Sequence, residues 1–162
     1  MYRVLIADDD ILMREALHVM IAKDSAFKVV SMTDTGERAV RVCKEDVIDI
    51  VFMDMQMPGI TGLEASRIIH QSNPGISIYI LTAHAANVLI RSAAQSQVKD
   101  VLEKPITYSC MKKILENYKT EHEDSVQNQL EILASYLRNK DFGDFYGGIA
   151  GVIDEIYAIG GE

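Results

Sequence analysis

The sequence lacks the features of secreted, disulfide-bonded and membrane-spanning proteins. Its two cysteines, Cys43 and Cys110, are far apart and form no paired spacing, so we expect small hydrophobic residues on helices rather than a disulfide or a metal pair. No apolar run approaches the roughly 20 residues needed to span a bilayer. The start MYRVLIADDD reaches acidic residues before a signal-peptide pattern develops, which favours a cytoplasmic protein without membrane attachment.

Basic charge is scarce toward the end of the chain. Residues 1–119 hold 14 basic and 15 acidic side chains, whereas residues 120–162 hold two basic and nine acidic ones. Nucleic-acid binding depends largely on Lys and Arg displacing counterions from phosphates. We therefore expect no nucleic-acid contact by residues 120–162.

What is present is an alternation of short apolar segments and amphipathic stretches. The 162 residues, 48% of them hydrophobic, suffice for one core and an appendage but not for a large multidomain enzyme. The alternation predicts a parallel sheet covered by helices on both faces, with ligands beyond the carboxyl ends of the strands. The predicted strands are YRVLIA, FKVVSM, DIVFMD, ISIYILT and DVLEKP, and a helix over roughly residues 87–96 precedes the last of them.

Three helix starts carry capping signals. Asp10 is positioned as an N-cap before the first helix, rather than as a ligand. Asp34 with Glu37, and Thr61 with Glu64, have the three-residue spacing of a capping box, in which each side chain accepts a hydrogen bond from the other residue's amide.

The end of the chain predicts further helices. A helix begins near Thr107, and the polar stretch TEHEDSVQN after it is either a linker or a solvated continuation of that helix. Leu130, Leu133 and Leu137 then line one helix, and an apolar stripe over residues 142–157 lines another, with a break at 139–141. Such a hairpin buries too little surface to be stable alone. We therefore expect it to pack on the rest of the chain, on a second copy in a homodimer, or on another partner.

Polar side chains follow four of the predicted strands. Asp8 and Asp9 end the first strand, Asp54 the third, Thr82 the fourth and Lys104 the fifth, so a central first strand would bring all five together. Three neighbouring carboxylates repel one another unless a hard divalent cation joins them, and Mg²⁺ is the expected occupant. Such a site lets an aspartate oxygen attack phosphorus, while a lysine and a hydroxyl hold the other phosphoryl oxygens.

The segments VLIADDD, VFMDMQMPG, ILTAH and LEKP, in this order and spacing, resemble the motifs of response-regulator receiver domains of two-component signalling, the CheY-like superfamily. The resemblance covers residues 1–119, which it identifies as a phosphoacceptor receiver domain. It implies a flavodoxin-like α/β fold: a five-stranded parallel sheet of order 2-1-3-4-5 with helices on both faces. Residues 120–162 would then be an acidic C-terminal α-helical hairpin added to that domain.

The resemblance also implies a role for each site residue. Asp54 would receive the phosphoryl group from a histidine kinase. Asp9, Asp54 and the main-chain carbonyl of Gln56 would ligate Mg²⁺ directly, and Asp8 would act through water. The remaining two residues, Thr82 and Lys104, would bind the phosphoryl group. The domain would catalyse only its own phosphorylation and dephosphorylation and would otherwise not be an enzyme.

Some positions depart from the usual pattern of that family. Val101 stands where an aromatic residue is usual, so the inward rotation of an aromatic ring on phosphorylation is unavailable. Gln97 replaces a usual glycine, which makes the face over residues 85–101 atypical. Thr61 replaces a usual Asp or Asn, but it caps a helix equally well. We also expect His84, with Gln56, to flank the phosphoryl group and to control access of water.

Two alternatives remain open from the sequence. A haloacid-dehalogenase-like phosphohydrolase also pairs an aspartyl nucleophile with Mg²⁺, but its nucleophile ends the first strand, with a second Asp two residues on and a cap over the substrate. Here Asp54 ends the third strand, and Gln56 lies two residues later. The other alternative is the N-terminal fragment of a DNA-binding transcriptional response regulator.

Overall fold

The structure, a computed structural model, describes residues 1–83 and 98–139. The strands are β1 (Tyr2–Ala7), β2 (Phe27–Thr33), β3 (Ile50–Asp54), β4 (Ser77–Thr82) and β5 (Asp100–Glu103). The helices in the described part are α1 (Ile11–Ile21), α2 (Gly36–Glu45), α3 (Gly62–Ser72) and α4 (Tyr108–Asn139). The helix predicted over residues 87–96 lies outside the described residues.

All strand pairs are parallel, in the order β2-β1-β3-β4-β5, which confirms the predicted sheet. Strand β3 is central and buried along its whole length, as expected for the continuous apolar run IVFM with neighbours on both sides. The register sets Asp54 opposite Leu81, and Thr82 opposite Glu103. The strands that carry the predicted site residues therefore end at one edge of the sheet.

Helices cover both faces of the sheet. Side chains alternate along each strand, and one set of strand residues packs with α2 and α3. On that face Val51 and Met53 of β3 belong to one buried cluster with Cys43 of α2 and Ile69 of α3. Helix α1 contacts β1 and β2, and its inward residues Leu17 and Ile21 are fully buried. Met53 and Met57 are buried in the core, where they pack with apolar neighbours.

Both cysteines lie on helices and neither forms a disulfide, as predicted. Cys43 of α2 is buried, and Cys110 of α4 is partly exposed. Burial raises the pKa of the Cys43 thiol to about 12. This thiol is therefore neutral at physiological pH and packs as a small apolar side chain.

Two of the three predicted helix starts are confirmed. The Asp10 side chain accepts a hydrogen bond from the Leu12 amide at 2.8 Å. Thr61 and Glu64 form a complete capping box. They do so because Thr61 has an extended backbone and Glu64 is the third residue of the helix, where its side chain reaches back to the Thr61 amide at 2.8 Å.

The third predicted helix start is wrong. The N-cap of α2 is Thr35, whose side chain accepts from the Arg38 amide, and Asp34 instead pairs with the Arg38 side chain at 2.8 Å. The helix thus begins one residue later than predicted, because Thr35 is extended and supplies its own cap. Glu37 is left free of the cap and accepts a hydrogen bond from Ile60 in the loop after β3, at 2.9 Å.

The chain divides into two units, Met1–Met111 and Lys112–Glu162. Helix α4 runs without interruption through TEHEDSVQN, so of the two alternatives the stretch is a continuation of the helix. The second helix of the predicted hairpin lies outside the described residues. Among the helices that the structure describes, none is both long and apolar enough to cross a membrane.

Candidate functional site

The strand ends place the predicted side chains together. Asp8 follows the last residue of β1, and its amide donates to the Thr33 carbonyl of β2 at 3.1 Å. Asp54 is the last residue of β3, and Thr82 is the last of β4. Lys104 follows β5 directly, and its amide donates to the Thr82 carbonyl at 2.8 Å. The peptide bond between Lys104 and Pro105 is cis.

The ammonium group of Lys104 joins two buried carboxylates. Its Nζ lies 2.7 Å from Oδ2 of Asp8 and 2.8 Å from Oδ1 of Asp54. The Asp8 residue is fully buried, Asp54 nearly so, and the Lys104 side chain is partly exposed. A buried pair of like charges needs such a counter-ion, since neither carboxylate is otherwise neutralised in a poorly solvated environment.

The other oxygen of each carboxylate accepts a backbone hydrogen bond. Oδ1 of Asp8 accepts from the Asp10 amide at 3.0 Å, and Oδ2 of Asp54 accepts from the Gln56 amide at 3.2 Å. Both carboxylates are therefore held in a fixed orientation from two sides. A fixed orientation matters for a nucleophile because an attacking oxygen must approach phosphorus along a narrow path.

The pKa values of Asp54 and Lys104 are both raised, for reasons that follow from their burial and their contacts. Burial raises the pKa of Asp54 above its ordinary value, and the charge of Asp8 adds to this, although the hydrogen bond and charge of Lys104 oppose it. For Lys104, burial lowers the pKa, but the hydrogen bonds and charges of Asp54 and Asp8 outweigh burial and raise it. The lysine is thus cationic at neutral pH.

Asp9 completes a possible cation site with these two residues. Carboxylate oxygens of Asp8, Asp9 and Asp54 lie within 4.8 Å of one another. An all-oxygen set suits a hard cation such as Mg²⁺. These residues therefore fit the predicted metal. Asp9 is exposed, so the side of the site where it lies is open to the water molecules that Mg²⁺ keeps as ligands.

Thr82 and Gln56 lie at the same edge with different exposure. Thr82 is buried at the end of β4, beside the Lys104 main chain. Gln56 is exposed, two residues beyond Asp54. His84 and Gln97 lie outside the described residues. Val101 is buried in the core cluster on β5, a position consistent with a small side chain that packs rather than rotates.

The loop from Met55 to Thr61 is held close to Asp54. The Met55 amide donates to the Leu81 carbonyl at 2.8 Å, and the Gly62 amide donates to the Met55 carbonyl at 3.0 Å. A Cβ on Gly62 would collide with the carbonyl oxygen of Asp54 and lie 3.0 Å from its carbonyl carbon. Helix α3 can therefore begin against Asp54 only because residue 62 has no side chain.

For two residues the sequence did not predict the contacts that the structure shows: Arg14 was not singled out, and Glu37 was assigned to a helix cap. The Nη1 atom of Arg14 donates to the Asp8 carbonyl at 2.6 Å and to the Asp9 carbonyl at 3.2 Å. Glu37 holds the loop after β3 through Ile60. For Arg14 a signal existed: it lies four residues after the N-cap Asp10, on the side of the helix that faces back over the acidic turn.

Comparison with known proteins decides the family. The model of the response regulator receiver domain matches residues 4–119. The chain belongs to this family. It is 38% identical over 104 residues to the response regulator UvrY of Escherichia coli K12, and that alignment covers 64% of this chain and 48% of UvrY. It is 40% identical over 82 residues to the response regulator GacA of Pseudomonas viridiflava, covering 51% of this chain and 38% of GacA.

Solved structures agree with the fold of this receiver. The receiver domain of AraT, a response regulator from Geobacillus stearothermophilus, superimposes with a TM-score of 0.70 and 26% identity, covering 76% of this chain and 97% of that domain. The receiver described here spans about half the length of UvrY and less of GacA. The family also accounts for the position of Asp54 on the third strand, which the phosphohydrolase alternative did not.

Proposed function

We propose that this receiver accepts a phosphoryl group from a histidine kinase on Asp54, in a reaction that requires Mg²⁺, and thereby switches a protein–protein interaction. One observation carries the proposal. The Lys104 ammonium group contacts both Asp54 and Asp8, and carboxylate oxygens of Asp8, Asp9 and Asp54 lie within 4.8 Å of one another. Receiver domains of two-component systems interact with histidine kinases, which makes a phosphohistidine the expected donor.

The transfer is a substitution at phosphorus. An oxygen of Asp54 attacks the phosphorus, a P–O bond forms, the P–N bond to the donor histidine breaks, and its electron pair returns to the imidazole. Lys104 then transfers its contact from the carboxylates to a phosphoryl oxygen, and the Thr82 hydroxyl donates to another. Bound Mg²⁺, held by Asp9, Asp54 and the Gln56 carbonyl with Asp8 acting through water, would offset the negative charge of carboxylate and phosphoryl group. Hydrolysis of the acyl phosphate resets the domain.

The switch in this receiver needs a route other than the rotation of an aromatic ring. Val101 is small and buried, so movement of Thr82 toward the phosphoryl group would be passed on by main-chain displacement of β4 and β5, which are paired at Thr82 and Glu103. A phosphoryl group that contacts one conformation better than the other shifts the population toward it. The partner would read the segment over residues 85–101, most of which lies outside the described residues.

We also propose a separate role for residues 120–162. They hold nine acidic side chains against two basic ones, which favours contact with protein over nucleic acid. The proposal assigns them to an acidic helical extension that joins two copies of the chain or binds a partner, and it places the protein in the cytoplasm. Leu130 is exposed on α4 and Leu133, three residues later on the same side of the helix, is partly exposed, which supports an apolar contact surface.

A phosphate-affinity gel tests the proposed reaction. The chain is incubated with a histidine kinase and ATP, or with a small-molecule phosphodonor, with Mg²⁺ or with excess chelator. A retarded band is expected with Mg²⁺ and not with chelator, and Asp54→Asn should abolish it. A retarded band that survives Asp54→Asn would place the phosphoryl group elsewhere and overturn the assignment.

A further inference from the structure

The acidic turn between β1 and α1 must hold three successive carboxylates in fixed directions. Backbone contacts hold two of them: the Asp8 amide donates to Thr33, and the Asp10 side chain caps α1 at Leu12. Within the described part of the chain, the hydrogen bond that reaches Asp9 is donated by Arg14, at 3.2 Å to the Asp9 carbonyl. The orientation of Asp9 is therefore coupled to Arg14 rather than to the sheet.

We propose that Arg14 is a positioning residue for the cation site. Its Nη1 atom carries two hydrogens and donates to two successive carbonyls, of Asp8 at 2.6 Å and of Asp9 at 3.2 Å. A single planar group thus holds the two peptide units that flank the α-carbon of Asp9. The inference rests on the proposed function, because it assumes that Asp9 is a ligand of Mg²⁺.

The local structure explains why Arg14 reaches the turn. Its amide donates to the Asp10 carbonyl at 3.1 Å, so Arg14 lies in the first turn of α1 directly above the N-cap. Side chains in a helix lean toward its amino terminus, which directs the guanidinium back over residues 8 and 9. Guanidinium remains charged at all physiological pH values and has a fixed donor geometry that a lysine does not share.

The competing explanation is that Arg14 acts only through its positive charge beside the carboxylates. That explanation predicts the opposite change in Mg²⁺ affinity when Arg14 is replaced. A cation near the site repels Mg²⁺, so an arginine that acted only through its charge would weaken binding, and its removal would tighten it. An arginine that holds the ligand turn would strengthen binding in spite of its charge. Its removal would release the Asp9 main chain and weaken binding. The sign of the change therefore separates the two roles.

Isothermal titration calorimetry of the full chain with MgCl₂ tests the proposal. Arg14→Met keeps the length of the side chain and removes both donors, and it should weaken Mg²⁺ binding by about tenfold, the effect expected for loss of hydrogen bonds from a charged donor. Arg41→Met is the charge-matched control, since Arg41 is exposed on α2. The control should leave the affinity unchanged within about twofold. Unchanged or tighter binding by Arg14→Met would overturn the proposal.

Two further variants separate a failure of the cation site from a failure of the role given to Arg14. Asp9→Ala tests the site itself: if the natural chain binds no Mg²⁺, or Asp9→Ala binds as well as the natural chain, the proposed function fails rather than the role of Arg14. If Arg14→Met does not fold, Arg14→Lys replaces it, because it keeps the charge and loses the guanidinium plane. Arg14→Lys should also weaken binding, and an affinity equal to that of the natural chain would overturn the role of the guanidinium.

Nuclear magnetic resonance of the metal-free chain gives an independent readout. The Asp10 amide donates to Asp8, and its hydrogen exchange reports whether the turn is held. Arg14→Met should accelerate that exchange while the amides of β3 remain protected. Equal protection of the Asp10 amide in the two proteins would contradict the positioning role.

Discussion

Nζ of Lys104 lies 2.8 Å from Oδ1 of Asp54, although the two residues are 50 positions apart in the chain. The contact exists because β3 and β5 flank β4 in a parallel sheet and end at the same edge. The same ammonium group contacts Asp8 at 2.7 Å. One ammonium group therefore contacts both buried carboxylates of the receiver.

Removal of the Lys104 charge should destabilise the metal-free protein. Lys104→Met leaves Asp8 and Asp54 buried without a counter-ion, which we expect to lower the free energy of unfolding by about 2–3 kcal/mol. Urea denaturation in the presence of a chelator measures this. Lys112→Met is the control, because Lys112 faces Glu116 at 3.6 Å on the exposed side of α4 and its loss should change stability by less than about 0.5 kcal/mol. Equal effects of the two substitutions would contradict the role given to Lys104.

A side chain at position 62 should disturb the main chain at Asp54. Gly62→Ala places a Cβ against the carbonyl oxygen of Asp54, so either α3 or the end of β3 must shift. We expect a loss of about 1–3 kcal/mol in stability, as for other overpacked sites. Gly75→Ala is the matched control, because nothing lies within 4 Å of its added Cβ. Thermal unfolding of the two variants should differ clearly in Tm, and a harmless Gly62→Ala would show that the close approach is not required.

The contact between Glu37 and Ile60 should stabilise the loop after β3. Glu37→Ala removes the acceptor of the Ile60 amide, 2.9 Å away, and should lower the free energy of unfolding by about 0.5–1.5 kcal/mol. Glu37→Gln keeps an acceptor oxygen and should recover most of that loss. Glu45→Ala, at the exposed end of the same helix, is the control in urea denaturation. If Glu37→Ala and Glu45→Ala have the same stability, the loop does not depend on Glu37.

The two thiols should differ in reactivity. Cys43 is buried and burial raises its pKa to about 12, so it carries almost no thiolate at pH 8, whereas Cys110 is partly exposed. An Ellman assay on the native chain should therefore titrate one thiol rapidly, and Cys110→Ser should remove that reaction. The second thiol should react only after unfolding in guanidinium chloride. Rapid reaction of the native Cys110→Ser protein would contradict the packing of α2.

The sequence predicted the sheet and the acidic edge because both depend on local, repeated signals. The buried strands are continuous apolar runs, and each ends at a polar residue that marks the edge, as Asp54 and Thr82 do. Strand order came from the resemblance of the motifs to a family. The site then followed, since parallel strands that end in register bring their last residues together.

Contacts between separate elements could not be predicted from the sequence. Asp34 and Glu37 have the spacing of a capping box, but Thr35 takes the N-cap, and Glu37 bonds to a residue 23 positions away. The polar stretch TEHEDSVQN contains neither Gly nor Pro, so nothing in it stops a helix. Whether it is helical depends on the helices that flank it, and the pattern of apolar residues does not show whether those helices are continuous. Arg14 was missed because its partners are main-chain carbonyl groups, so that its position four residues after Asp10 was the one signal for the contact.

The most direct test of the central claim is to locate the phosphoryl group on the chain. The protein is phosphorylated with Mg²⁺ present and then reduced with borohydride, which converts an aspartyl phosphate to homoserine, and its peptides are sequenced by mass spectrometry. The account predicts homoserine at position 54 and its absence when Mg²⁺ is removed. Homoserine at another aspartate, or equal modification of Asp54 without Mg²⁺, would contradict it.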